Sequence, residues 1–535
     1  MTHALDLPEV KSHIAQFLTP YDLTVCSRVS QDWNQACLPF LWQKLKVTRP
    51  SHRSSRDSGV HGVVDKASVR RHSHHLRILR PRHHSPFGNM LAQPSTVDVR
   101  DVYFQNLEDL TWRALPHDQA IFIQCHRLTL VRLDLSCQGM QSEPAQRESE
   151  ELWRVLAACP KLKSLKIASV CVSHTTWPVC WSLWSRLTYL GLVRVDFSAL
   201  LTAGASDKPE NTLQKQPASI QEWLSQANAC HQPLRIKTLD INHHHEMRRL
   251  EDELAFLRYC PDLKTLIWCV DGKKYTPELS AQHLTEQTRH CTKLVDVTIR
   301  DGSQSNIVVP FLETKVGLPL QGLCLSFFGQ AAWDLVRTKY ATSLRSIDLW
   351  NAAIPDGLAN DMLCNLPSLV SASVNFFKDQ DFTNDFRPWV CLGLKRLVMG
   401  VFVEGDPLQV HHLIMRRLGT LTSLNYLKVS SGGRNPLLFR LRSGLGHLAT
   451  LRKLQELQFH NSPQSLQEDD ARWMLNNWPW FDFVMGELTR DRTTYSSLKR
   501  ILKEGGVAVR YPDDEVLIRE TTTTTTTTPP RCIFL

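Results

Sequence analysis

The sequence predicts an α/β solenoid, a horseshoe of stacked strand-and-helix units, entered through a small all-α unit of about three helices. Three observations predict it. At 535 residues the chain is too long for a single compact core. A leucine-based motif returns at a regular interval over most of its length. The first fifty residues instead carry apolar positions at helical spacing. With 42% hydrophobic and 21% charged residues the chain has the composition of a folded protein.

The first unit spans residues 1–47. Pro8 suits the first turn of a helix, where its missing N–H costs nothing, and Val10, Ile14, Phe17 and Leu18 follow at helical spacing. Thr19-Pro20-Tyr21-Asp22 ends that helix and starts the next, which carries Leu23, Cys26 and Val29, with Trp33 beyond. Leu38-Pro39 is expected to break the chain again before Phe40, Leu41 and Trp42. Three short helices enclose little core, so such a unit leaves apolar surface for a partner. The order Leu7-Pro8, Ile14, Phe17-Leu18, Asp22-Leu23, Cys26, Val29-Ser30, Trp33, Pro39, Leu41-Trp42 resembles an F-box and covers nearly the whole motif. The resemblance implies binding to a Skp-type adaptor protein, and through it to a cullin. The residues expected to form or support that face are Leu7, Pro8, Ile14, Phe17, Leu18, Leu23, Cys26, Val29, Trp33, Leu41 and Trp42.

Residues 48–94 form a basic, partly flexible connector entering the solenoid. Arg49, Arg53, Arg56, Lys66, Arg70, Arg71, Arg77, Arg80 and Arg82 face only Asp57 and Asp65. A solvated basic loop followed by a strand near His75–Leu79 is favoured over a nucleic-acid patch. The net charge of +9 is a mild excess at this length, and no nucleic-acid partner is expected.

The solenoid is assigned to residues 95–511, with its C-terminal cap. The motif Leu-x-x-Leu-x-Leu appears at Leu162/Leu165/Ile167, Leu187/Leu190/Leu192, Ile236/Leu239/Ile241 and Leu263/Leu266/Trp268. It continues at Leu294/Val297/Ile299, Leu320/Leu323/Leu325, Leu344/Ile347/Leu349 and Leu369/Ala372/Val374, then at Leu394/Leu397/Met399, Leu424/Leu427/Val429 and Leu454/Leu457/Phe459. Leu107/Leu110/Trp112 is an earlier copy, and another lies near Leu128–Leu135 without a fixed register. From Leu263 onward the copies stand about 27 residues apart, within the leucine-rich-repeat period. One strand and one return helix cannot bury their apolar sides alone, and stacking neighbours makes the core continuous. Cys159, Cys260 and Cys291 each stand three residues before the first motif leucine, which resembles the cysteine-containing leucine-rich repeats of F-box proteins. The segment from Asp470 to Pro479 is similar to their closing repeat, and the chain as a whole resembles fungal F-box proteins with degenerate leucine-rich repeats.

Along x-Leu-x-Leu-x strands the x side chains face outward, on the concave surface. The substrate-binding candidates there are Asp348, Trp350, Asn375, Arg396, Tyr426, Lys428, Glu456 and Gln458. Trp350 and Tyr426 among polar neighbours have the composition of a recognition surface. The substrate would be a protein that the sequence leaves unidentified.

Residues 512–535 read as a disordered Thr-rich tail: Thr521 to Thr528 have no apolar partners, and Pro529-Pro530 favour an extended chain. It ends in Cys532-Ile533-Phe534-Leu535, which resembles a prenylation box and makes Cys532 the lipidation candidate. A membrane partner is expected only through that lipid. Met1–Lys11 lacks an apolar signal core, so a cytoplasmic or nuclear protein is expected. The 15 cysteines include no CxxC pair, and neither disulfides nor a metal site is predicted. No nucleophile elbow, phosphate loop or zincin helix occurs, so no catalytic or cofactor-binding residue is assigned. The leading reading is a non-catalytic adaptor that delivers substrate to a Skp–cullin–F-box ubiquitin ligase; the alternatives are a leucine-rich-repeat scaffold or regulator without ligase activity, with or without a prenyl anchor, and a membrane-tethered signalling receptor.

Overall fold

The computed structural model describes residues 7–47, 72–81, 104–137, 143–197, 233–242, 256–270, 284–301, 308–315, 319–350, 352–404, 407–431 and 435–510. They fall into two compact units, the first ending at Leu294 and the second beginning at Val295.

The first unit opens with helices α1 (Pro8–Ala15), α2 (Pro20–Cys26) and α3 (Gln31–Trp42). Thr19 and Asp22 start α2 as a reciprocal capping box: the Asp22 amide donates to Thr19 Oγ1 at 3.2 Å, and the Thr19 amide donates to the Asp22 carboxylate at 3.3 Å. Ser30 caps α3 through its hydroxyl, which accepts from the Trp33 amide. The expected break at Leu38-Pro39 is not there, since α3 runs through Pro39 to Trp42. Pro39 removes the bond that the Gln35 carbonyl would accept. Gln35 is exposed, so water can take that place.

Strands β1 (Lys44–Val47), β2 (Ile78–Pro81), β3 (Asp109–Ala114) and β4 (Arg132–Cys137) begin a parallel ladder. It continues through β5 (Ser164–Ala168), β6 (Tyr189–Val193), β7 (Thr238–Asn242) and β8 (Thr265–Val270). The ladder thus starts within three residues of the helical unit and before residue 95. The Gln43 carbonyl accepts from both Arg77 and Ile78 amides, and Trp42 stacks on His72 at 4.7 Å. Helices Pro116–His126, Glu143–Ala157 and Trp177–Trp184 return the chain between strands. The last of these packs Trp177 and Trp184 against Phe256 at 5.8 and 5.5 Å, each such pair adding about 0.5–1.5 kcal/mol to plain burial.

The second unit is a parallel ladder of β9 (Asp296–Asp301), β10 (Gly322–Leu325), β11 (Ser346–Leu349), β12 (Ser371–Lys378) and β13 (Arg396–Phe402). Strands β14 (Tyr426–Ser431), β15 (Glu456–His460), β16 (Phe483–Met485) and β17 (Ala508–Arg510) complete it. Helices Leu358–Asn365 and Pro407–Leu418 are among its return segments. Beyond β15 the cap is longer than one helix and strand: helix Glu468–Asn477, β16, helix Arg492–Glu504 and β17 follow in turn.

The same arrangement recurs in each repeat. Every motif residue quoted above from Leu162 to Phe459 is buried, and the copy whose register the sequence left open is Leu130/Leu133/Leu135. Before most strands the preceding residue uses its carbonyl to clamp two amides at the entry of the next strand, as Lys395 does for Asn425 and Tyr426, and Asn425 for Gln455 and Glu456. Three residues before the first motif leucine stands a buried cysteine: Cys159, Cys260 and Cys291, and also Cys391 before Leu394. Each carbonyl there accepts from that leucine's amide, and burial pushes the Cys159 and Cys391 thiols up to about 11 and about 12. These thiols serve as small apolar fillers. After β5, β6 and β15 the chain turns at Ser169, Arg194 and Asn461, which adopt positive φ. The strand ends are thus closed by left-handed single residues, which Asn tolerates best.

Candidate functional site

Two surfaces carry the expected residues. The first is the helical unit. Its core consists of Ala15, Leu23 and Cys37, with Leu18, Cys26, Trp33, Phe40 and Leu41 packed partly against it. Leu23 is only 4% exposed, so it supports the face from below. Phe17 and Val29 stand 76% and 69% exposed, and Leu7, Pro8 and Val25 are exposed as well. Ile14 and Trp42 are half-buried. Val25 was not among the expected residues, because the helical spacing of Leu23 and Cys26 drew attention to the inner face of α2. Lys11 is buried and reaches Asp32 at 3.1 Å, which ties α1 to α3. The arrangement holds several apolar side chains outward on a three-helix support, as a protein-docking face requires.

The second surface is the outward face of the β9–β17 ladder. Parallel register puts Ser346, Ser371, Arg396, Tyr426 and Glu456 in one row, and Asp348, Ser373, Val398, Lys428 and Gln458 in the next. Arg396 lies 3.7 Å over the Tyr426 ring, and the Lys428 ammonium lies 6.0 Å from the centre of Trp350. Lys428 lies on β14 and Trp350 directly follows β11, so their side chains meet over the intervening β12 and β13. Asn375 and Val398 on the covered strands are buried, Asn375 at 8% exposure. Asn375 is therefore withdrawn from the expected exposed set. Asp348 accepts from the Trp350 amide, and the Gln458 amide donates to Glu456. The aromatic and charged groups of this face are thus largely engaged with one another.

The first unit carries a network that the sequence expectations did not include. Lys166, Gly191 and Asp240 occupy one slot of three successive repeats. Lys166 reaches past Gly191 to Asp240 at 3.1 Å, and the Tyr189 hydroxyl donates to the same carboxylate at 3.3 Å. A Cβ at Gly191 would lie 2.9 Å from Lys166 Cγ, so a side chain there would displace the lysine. Burial, then the Asp240 charge and hydrogen bond, hold the Tyr189 hydroxyl protonated well above its ordinary value of 10.0. The signal was present as Lys, Gly and Asp between paired motif residues.

Among the described residues no group of three metal-ligating side chains converges, and no helix is long and apolar enough to cross a membrane. Cys532, His243-His244-His245 and most of the basic connector lie outside the described residues.

The family model of the F-box-like domain matches residues 6–48. No curated protein matches the chain. Among solved structures, the TLR13–ssRNA13 complex is similar at 15% identity and a TM-score of 0.31, covering 83% of this chain and 62% of that one. A Bacteroides fragilis protein is similar at 14% identity and a TM-score of 0.24, covering 47% of this chain and 65% of that one. The chain spans less than two thirds of the length of either.

Proposed function

We propose that this chain, an F-box-like domain joined to a leucine-rich-repeat solenoid, is the substrate-recognition adaptor of a Skp–cullin–F-box ubiquitin ligase. The observation that carries the reading is the apolar face of α1–α3: Phe17 and Val29 stand mostly exposed on a unit that matches the F-box-like model over residues 6–48. In the reading, this face binds the Skp-type adaptor, which bridges to the cullin. The solenoid holds a protein substrate on its outward face, around Arg396, Tyr426 and Lys428. The chain itself performs no chemistry: it raises the local concentration of substrate lysines near the conjugating enzyme. Affinity capture of the full chain from cells after proteasome blockade tests the reading. Recovery of a Skp-type adaptor and a cullin together with ubiquitin-modified partners is the expected result. Partners recovered without either ligase component would make the chain a leucine-rich-repeat scaffold.

A further inference from the structure

At the strand-entry edge of the second unit, two rows of side chains from successive repeats line one groove of about 450 Å³. Lys395, Asn425 and Gln455 each stand one residue before β13, β14 and β15. Ser423, Lys453 and Trp480 each stand three residues before β14, β15 and β16. The backbone of the first row is fixed by the ladder, because the Lys395, Asn425 and Gln455 carbonyls each clamp two amides of the following strand. The side chains are left over. Among the described residues neither lysine has an ion-pair partner, and the two amide side chains and the serine hydroxyl have no hydrogen-bond partner. Trp480, 65% exposed, stands at the end of the groove.

This separates the groove from the unit's other cationic surfaces. On the outward face Arg396 and Lys428 already lie against Tyr426 and Trp350. In the hollow beside Phe386, Arg417 already donates to Asn360 and lies near the Phe382 ring. Asp482, next in the first row after Gln455, is outside the groove's lining. Two unpaired ammonium groups, two amides on a fixed backbone and an open indole suit an extended acidic segment carrying an aromatic residue or proline. Crossing from β13 to β16 at about 4.8 Å per strand takes four or five extended residues at about 3.4 Å each.

We propose that this groove is a docking site for an extended acidic segment of a partner protein, its carboxylates meeting Lys395 and Lys453 and an adjacent aromatic residue or proline meeting Trp480. The proposal deepens the adaptor reading and rests on it for the identity of the partner as substrate. Peptide binding itself needs no ligase, so its outcome is independent of whether the chain captures a Skp-type adaptor.

The test is selection of a random decapeptide phage library on the full chain, followed by fluorescence anisotropy of the enriched peptides. Wild type is expected to enrich peptides with acidic residues beside an aromatic residue or proline, with affinity falling as salt rises. K395E/K453E is expected to bind those peptides roughly tenfold or more weakly, since two attractive contacts become repulsive. W480A is expected to keep the acidic preference and lose the aromatic one. Lys395, Lys453 and Trp480 are all exposed, and an unchanged thermal transition of each variant confirms its fold. Absence of acidic enrichment on wild type, or equal binding by K395E/K453E, overturns the proposal. Enrichment seen only after deletion of residues 511–535 would also overturn it, because the chain's own Asp513-Asp514-Glu515 would then be the occupant.

Discussion

Substituting Val29 by Asp probes the docking face with little disturbance of the fold beneath it. Val29 is 69% exposed, so its removal costs the isolated chain no more than about 0.5 kcal/mol. In a complex the same side chain would be covered. Burying most of a valine is worth about 1 kcal/mol, and a carboxylate trapped in its place costs several more. A combined loss of at least about 3 kcal/mol corresponds to a complex roughly a hundredfold or more weaker. Leu23→Ala is the contrasting change. Leu23 belongs to a core with Ala15 and Cys37, and emptying such a site costs about 2–5 kcal/mol, enough to unfold a unit this small. Calorimetric titration with a purified Skp-type adaptor reads the first effect, and hydrogen exchange over residues 7–47 reads the second. Undiminished binding by V29D would refute the assignment of the face. Full exchange protection in L23A would refute the assignment of the core.

The outward face is checked by comparing neighbours at the end of β11: Trp350→Ala, just after the strand, should cost about 1 kcal/mol, much of it the lost contact with Lys428, whereas Leu349→Ala should cost about 2–5. Equal losses in urea titrations would contradict the strand register. Tyr189 gives a pH signature. Its folded pKa lies above the unfolded value, so the unfolded chain loses the proton first and the contribution to stability falls as pH rises past about 10. Urea midpoints from pH 8 to 11 should show that decline in wild type and a smaller one in D240N, where the carboxylate charge is gone. At the C-terminus, intact mass of the natively expressed protein checks the lipidation candidate: an isoprenoid on Cys532 with Ile533-Phe534-Leu535 removed supports the membrane reading, and an unmodified end removes it.

The three-helix unit and the repeat were legible because each depends on short-range spacing. Thr19 and Asp22 cap α2 through residues three apart, and Leu-x-x-Leu-x-Leu needs only a strand with one buried side. Pro39 was misread because its cost depends on whether the carbonyl at Gln35 faces water, which only the packed unit decides. The beginning of the ladder at Lys44 was also hidden, since its partner strand lies at Ile78, across a long insertion.

The sequence by itself determined the helical entry, the repeat, the buried motif positions and the alternation that sends Arg396, Tyr426 and Glu456 outward, because these follow from periods of 3.6 and 2 and from a return interval of about 27 residues. Only the tertiary structure decided which outward groups are already engaged. Lys166 meets Asp240 over Gly191, Lys428 meets Trp350 over two strands, and Lys395 and Lys453 share a groove with Trp480. Each grouping joins side chains from different repeats, separated by tens of residues along the chain and by one to three strand spacings in space. The physical reason is that lateral register between parallel strands sets those distances, and register is a property of the stacked array rather than of any one repeat.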